Sequence, residues 1–212
     1  MLSYWLATVR RAAVVIVMIG ACLGTFMAGF IIWEDSSAWE EALRQGTLGF
    51  LVLSAFMAVV LPATNTWHAA RTVSRHGLTL SAEAVPLPCT AEIRVPIRPG
   101  TTAYQLTDSV LHALKRLPAP EIDEVKEFTH GELTLVCRKS LRLPVRFHIS
   151  ITTDQDTATV TMDARPTATW KILDDAASWT VLKVFEPHVR KAVHDEGGYE
   201  RDVSATPSPA GA

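Results

Sequence analysis

Cysteine and histidine side chains are the first candidates for nucleophilic chemistry in this chain. Cys137 with His130 or His148 would supply a thiol and a base, the pair that activates a cysteine nucleophile. The alternation of the strand patterns, however, points Cys137 toward the core and His148 toward solvent, so the two groups face apart. We therefore interpret Cys137 as a small core residue.

Metal-binding patterns are also weak. The three cysteines, Cys22, Cys89 and Cys137, show no CxxC spacing, which disfavours a zinc site and a disulfide framework, while a single Cys89–Cys137 bridge stays open. His188 and His194 are six positions apart, so a helix would place them on different faces. The sequence predicts no metal site and no cofactor.

Paired carboxylates have simpler interpretations than acid–base catalysis. Asp154 and Asp156 lack the glycine and the distant glutamate of a calcium loop, and a hairpin turn explains them. Asp174 and Asp175 are adjacent, so they cannot face one reacting atom from one helix, and we expect them to cap it. With no glycine-rich phosphate loop either, we predict no catalytic residue and expect the chain not to be an enzyme.

Basic residues cluster in one short run of Arg138, Lys139, Arg142 and Arg146. Such a run, if held near an anionic leaflet, would bind lipid headgroups or a partner protein. The alternative is a solvated loop whose cations pair with nearby acids, namely Glu124, Glu127 and Glu132. The sequence leaves both interpretations open.

Two apolar stretches near the N-terminus are long enough to cross a membrane and would hold the rest of the chain beside it. Residues 12–33 carry no charge over 22 positions, a helix of about 33 Å against a hydrocarbon core of about 30 Å. A second apolar stretch, over about 47–65, follows a short acidic loop. The first 67 residues therefore predict a transmembrane helical hairpin and membrane lipid as a partner.

The charges flanking the hairpin predict its orientation. Arg10, Arg11, Arg71 and Arg75 lie outside the two outer ends, whereas the connecting loop carries only Arg44. By the positive-inside rule, both termini face the cytoplasm of a multi-pass protein of the cell membrane.

Small residues form one face of the first span. Gly20, Gly24 and Ala28 recur every four positions, a spacing that lets two backbones approach closely in lipid. This face would pack on the second span of the same chain or form the seam of a homodimer or of a complex with another membrane protein.

The rest of the chain predicts one α+β domain. After a connector over 68–90, the domain covers 91–196, and a disordered tail covers 197–212. Apolar periodicity predicts strands at 91–98, 122–128, 132–138, 145–152 and 157–164, and helices at about 102–117 and 174–195. Short turns join the later strands, so we expect an antiparallel meander of four to five strands, covered by two helices, in the order β-α-β-β-β-β-α. Pro96 predicts an edge strand or a bulge, and Pro187 predicts a kink or restart in the last helix.

These features favour a binding module over an enzyme. The net charge of −3 over residues 77–212 does not suggest a nucleic-acid partner. We expect an integral membrane protein whose non-catalytic cytoplasmic α+β domain binds a protein partner or an amphiphilic ligand. The alternatives are a membrane-anchored enzyme of lipid or small-molecule metabolism, with its site between the sheet and the last helix, and a structural subunit that assembles through the Gly20 and Gly24 face.

Overall fold

The computed structural model describes residues 1–138, 141–168 and 172–197, so Lys139 and the tail beyond 197 lie outside it. Its helices are α1 (Leu2–Glu34), α2 (Trp39–Arg75), α3 (Ala103–Lys115) and α4 (Ala177–Gly197), with a short 3-10 turn at Ala82–Ala84. Its strands are β1 (Cys89–Pro96), β2 (Ile122–Phe128), β3 (Glu132–Cys137), β4 (Val145–Asp154) and β5 (Thr157–Pro166).

Helices α1 and α2 form an antiparallel hairpin, and both are long and apolar enough to cross a membrane. Most of the side chains in their apolar stretches are exposed, including Phe26, Phe30 and Phe56, which are 57 to 70% accessible. Core helices of a water-soluble protein would bury these groups. Helix α2 also continues to Arg75, so the first eight residues of the predicted connector, 68–75, are helical.

The five strands form one antiparallel sheet in the order β1-β5-β4-β3-β2. Strands β2 to β5 are the predicted meander, and β1 returns to pair with β5, with Ile93 opposite Val160. Pro96 ends β1 at an edge of the sheet, as its missing N–H requires. The α+β class and the predicted element order are confirmed.

Helices α3 and α4 cover one face of the sheet. Thr102 accepts a hydrogen bond from the backbone N–H of Gln105, whose side chain reaches back to the Thr102 N–H, which is the predicted capping box. The Phe147 ring of β4 meets the Phe185 ring of α4 edge to face, with centroids 5.2 Å apart. Helix α4 continues without a break through Pro187, where the sequence predicted a kink or restart.

The α+β part, which we call the lobe (residues 77–197), does not hang from a free tether. Tyr4 of α1 and Ala69 and Val73 of α2 are fully buried and belong to the same hydrophobic core as the lobe. The ends of the hairpin helices therefore pack into the hydrophobic core of the lobe.

Candidate functional site

A chain of hydrogen bonds joins the hairpin to the lobe. The Tyr4 hydroxyl donates to Asn65 Oδ1 at 2.8 Å, and Asn65 Nδ2 donates to Asp175 Oδ1 at 2.7 Å. The other oxygen of Asp175 lies 3.2 Å from Arg142 Nη1. Because Tyr4, Asn65 and Asp175 are buried, each of these partners satisfies a group that would otherwise be costly to enclose. We call these four residues the junction.

Arg11 adds a second connection at the same end of the lobe. Its Nε donates to the carbonyl of Ile172 at 2.9 Å, and its Nη2 donates to the carbonyl of Leu87 at 3.3 Å. Leu87 precedes β1, Ile172 follows β5, and Arg142 lies between β3 and β4. These strand ends consequently form the side of the lobe that faces the hairpin.

The adjacent carboxylates Asp174 and Asp175 have separate roles. Asp174 Oδ2 accepts the backbone N–H of Ser178 at 2.7 Å, in the first turn of α4. Burial raises the pKa of the Asp174 carboxyl above its usual value. Asp175 turns instead toward Asn65, with a backbone φ of +55°. The two groups thus do not converge on one point.

The predicted basic run does not form a single patch. Arg138 lies 3.9 Å from Asp123, Arg142 belongs to the junction, and Lys139 lies outside the described residues. Arg146 points from β4 onto the face of the sheet that α3 and α4 leave open, which we call the outer face. The acids expected as partners of the run contact other groups. Glu124 pairs with Lys126, Glu127 accepts a hydrogen bond from Thr134, and Glu132 pairs with His148.

A row of polar side chains crosses the outer face. His148 Nδ1 lies 3.0 Å from Thr134 Oγ1, and His148 Nε2 lies 3.0 Å from Glu132 Oε2. The Thr134 hydroxyl donates its one proton to Glu127 at 3.2 Å, and Ser150 donates to Glu132 at 2.8 Å. The order carboxylate, imidazole, hydroxyl is that of a nucleophilic triad.

The surroundings of this row suit binding better than acyl transfer. Thr134 is 7% exposed, so a substrate has little access to its hydroxyl. Strands β3 and β4 pair with neighbours on both sides, so the sheet itself uses the backbone N–H groups that would stabilise an oxyanion.

Part of this row and three neighbouring cations line an open recess of about 590 Å³. Its lining residues are Lys126, Glu127, Thr134, Arg146, His148 and Arg165. Arg165 is held by Asp163 through two hydrogen bonds of 2.7 and 2.8 Å, and this contact raises the pKa of the Arg165 guanidinium.

The thiols lie apart from these groups. Cys137 is fully buried on the opposite side of β3 from Thr134, and burial raises the pKa of its thiol to about 12. Cys89 is also buried with a pKa raised to about 12, chiefly by desolvation, and all three cysteines are free. These two buried thiols stay protonated and unreactive near neutral pH.

The small-residue face of α1 lies against α2. A methyl group at Gly20 would meet the Ser54 hydroxyl, and one at Gly24 would lie 2.7 Å from the carbonyl oxygen of Gly46. Ala28 Cβ lies on the same seam, opposite Gly46. This face is therefore already filled by the second helix of the same chain.

Sequence reasoning did not identify the junction or the His148 row as sites. Asn65 was the one available signal, because a primary amide at the end of an apolar stretch needs a polar partner. No protein family, curated protein or solved structure was found to match this chain.

Proposed function

We propose that this chain is a two-span membrane protein that holds a non-catalytic α+β module against the cytoplasmic surface of the membrane. There the module binds a protein partner or an amphiphilic ligand. The junction is the observation that carries the proposal, because it fixes the lobe directly on the ends of the two span helices.

Tryptophan spacing supports the placement of the hairpin in a bilayer. Trp5 and Trp33 of α1 are 28 positions apart, and so are Trp39 and Trp67 of α2. At about 1.5 Å per residue each pair spans about 42 Å, the thickness of a bilayer with its headgroups. Tryptophan favours this interfacial level, so the junction would lie among the headgroups.

The charge pattern of the lobe supports a membrane surface as its neighbour. On the outer face, Arg146 and Arg165 share the row nearer the hairpin with one acid, Glu124, whereas Glu92 and Glu132 share a row farther from it. Arg142 is still closer to the hairpin, at the junction. Asp175 and Asp163 offset the charges of Arg142 and Arg165, so Arg146 is the cation of this end that would face an anionic inner leaflet, where a cation near the surface contributes about 1 kcal/mol.

The arrangement supports the alternatives less well. An enzyme site was expected between the sheet and α4, but the described side chains there are buried and mostly apolar, such as Phe147, Phe185 and Val189. Assembly through Gly20 and Gly24 would require a face that α2 already covers.

Hydrogen exchange in lipid nanodiscs tests the proposed contact with the membrane. We expect the amides of Leu141, Arg142 and Leu143 to exchange more slowly in discs with anionic lipid than in neutral discs. The turn at Asp154–Thr157, at the far end of the same sheet, is the internal control and should not change. Equal exchange of the first three amides in both kinds of disc would overturn the proposal.

Cysteine labelling in whole cells tests the orientation. In a Cys22→Ser background, we expect Ser37→Cys, in the loop between α1 and α2, to react with an impermeant reagent from outside. Glu92→Cys, on the lobe, should react only after lysis, because the proposal places the lobe in the cytoplasm. Cys89 and Cys137 are buried and give no background labelling. The reverse pattern would place the lobe outside the cell.

A further inference from the structure

Arg146 is the one arginine of the outer face whose guanidinium contacts no acceptor among the described residues. Its Nε is fully enclosed and makes no hydrogen bond in the part of the chain that the structure describes. Its neighbour Arg165 has Asp163 as a bidentate partner. A half-buried guanidinium without an acceptor is costly, so the fold retains a charge that suits an external anion.

The recess around Arg146 has the composition of an anion site. Lys126, Arg146 and Arg165 supply three cations, against the single lining carboxylate of Glu127. Asp163 offsets part of the charge of Arg165 but also fixes the direction of its guanidinium. Glu124, 4.0 Å from the Lys126 ammonium, likewise offsets part of the charge of Lys126, so the cation of the recess without a carboxylate partner within the described ranges is Arg146.

We propose that this recess binds a phosphate group, with Arg146 as its main ligand. The guanidinium would form a two-pronged contact with two phosphate oxygens, and the Lys126 ammonium would supply a second charge. A phosphate suits this set better than a carboxylate, because two cations can share a group that carries more than one negative charge. The group could come from a lipid headgroup or from a free phosphate ester, since the recess opens on the row of the sheet nearer the hairpin.

Thermal unfolding of the full chain in detergent tests the site. The experiment uses a Cys22→Ser background and monitors unfolding by the reaction of a thiol dye with Cys89 and Cys137. Both thiols are buried in the folded lobe and react only when it unfolds. We expect sodium phosphate and glycerol 3-phosphate to raise the melting temperature relative to sodium chloride at equal ionic strength. The Arg146→Gln variant should require about tenfold more ligand, a loss of roughly 1.4 kcal/mol.

The matched control is Arg94→Gln, which removes the same charge from an exposed arginine paired with Glu92 away from the recess. It should bind phosphate as the parent does. If Arg146→Gln and Arg94→Gln weaken binding equally, the effect is bulk charge and the site is wrong.

Nanodiscs separate the two sources of phosphate. Stabilisation by soluble phosphates without stabilisation in phosphatidic acid discs assigns the site to a free ester, whereas stabilisation in phosphatidic acid discs, relative to phosphatidylcholine discs, assigns it to a headgroup. Either result must be lost in Arg146→Gln. No stabilisation in any arm overturns the proposal, and that outcome leaves the orientation and docking of the lobe unaffected.

Discussion

At the scale of single residues, Gly24 tests how closely the two hairpin helices approach. A methyl group there would lie 2.7 Å from the Gly46 carbonyl oxygen and 3.0 Å from Phe50 Cβ. We expect Gly24→Ala to destabilise the hairpin by about 1 to 3 kcal/mol, because backbone atoms cannot move aside cheaply. The measurement is the melting temperature in detergent.

Gly29 provides the matched control for that substitution. It lies on the same helix, and a methyl group there would meet no heavy atom within 4 Å. Gly29→Ala should therefore be neutral or slightly stabilising. If both variants melt together, the seam between α1 and α2 is looser than the structure indicates.

Asp174 predicts a pH dependence of stability. Burial raises the pKa of its carboxyl, so the folded chain holds this proton more tightly than the unfolded chain. The contribution of Asp174 to stability accordingly falls as the pH rises from about 4, the pKa of an unfolded aspartate, through the higher folded pKa. Asp174→Asn cannot ionise but retains an oxygen for the Ser178 N–H, so it should melt higher than the parent at neutral pH.

The control for Asp174→Asn is Asp108→Asn, which changes an exposed carboxylate on α3. Its melting temperature at neutral pH should stay close to that of the parent, because an exposed ion pair contributes little to stability. The assignment fails if the difference in melting temperature between Asp174→Asn and the parent is the same at acidic and neutral pH.

The contacts of the junction could not be predicted from the sequence, although single residues of the hairpin seam could. Gly20 and Gly24 were identifiable because a four-residue repeat of small side chains within one helix is a local pattern. Asn65 and Asp175 are 110 positions apart, and no periodicity connects them. Their contact depends on how the lobe docks, which is a property of the folded chain alone.

At the scale of elements, the turn between β2 and β3 depends on Gly131. Its φ of +94° disfavours other residues, and a methyl group would lie 2.5 Å from the Ile151 carbonyl oxygen. The Gly131 carbonyl also accepts the Ile151 N–H at 2.7 Å, which ties the turn to β4. We expect Gly131→Ala to lower the melting temperature of the lobe.

Gly100 separates the two causes of that loss. Its φ is +91°, but a methyl group there would meet nothing within 4 Å. Gly100→Ala should carry only the backbone strain, and Gly131→Ala a further 1 to 3 kcal/mol or so from the clash. Equal losses would show that the contact with β4 contributes little.

Periodicity predicted the elements well and their ends less well. The alternation of β4 and β5 and the apolar stripe of α3 are strong because each buries one face. The extension of α2 to Arg75 was missed, because its sequence after Ala63 is polar and carries no apolar stripe. Ala69 and Val73 hold that extension in place by packing on the lobe, a tertiary contact that overrides local propensity.

At the scale of the whole molecule, the sequence predicted a hairpin and a lobe but not their docking. Two apolar stretches of sufficient length and a meander with one dry face are each visible in the local pattern. The docking buries only a few residues of each part, Tyr4, Ala69 and Val73 among them, and those residues are ordinary in a helix. Composition alone therefore could not distinguish a docked lobe from a tethered one.

A truncated chain distinguishes these two arrangements. A chain that begins at Gly77 lacks Tyr4, Ala69 and Val73, each of which is at most 1% exposed in the full chain. Burial of a large apolar side chain contributes about 1.5 to 3 kcal/mol, so the lobe of this chain should melt well below the lobe of the full protein. The melting temperature is measured by the reaction of a thiol dye with Cys89 and Cys137. A chain that begins at Thr66 keeps Ala69 and Val73 and should recover part of the loss. If the shorter chain melts with the full protein, the lobe is only tethered, and the hairpin anchors it without stabilising its fold.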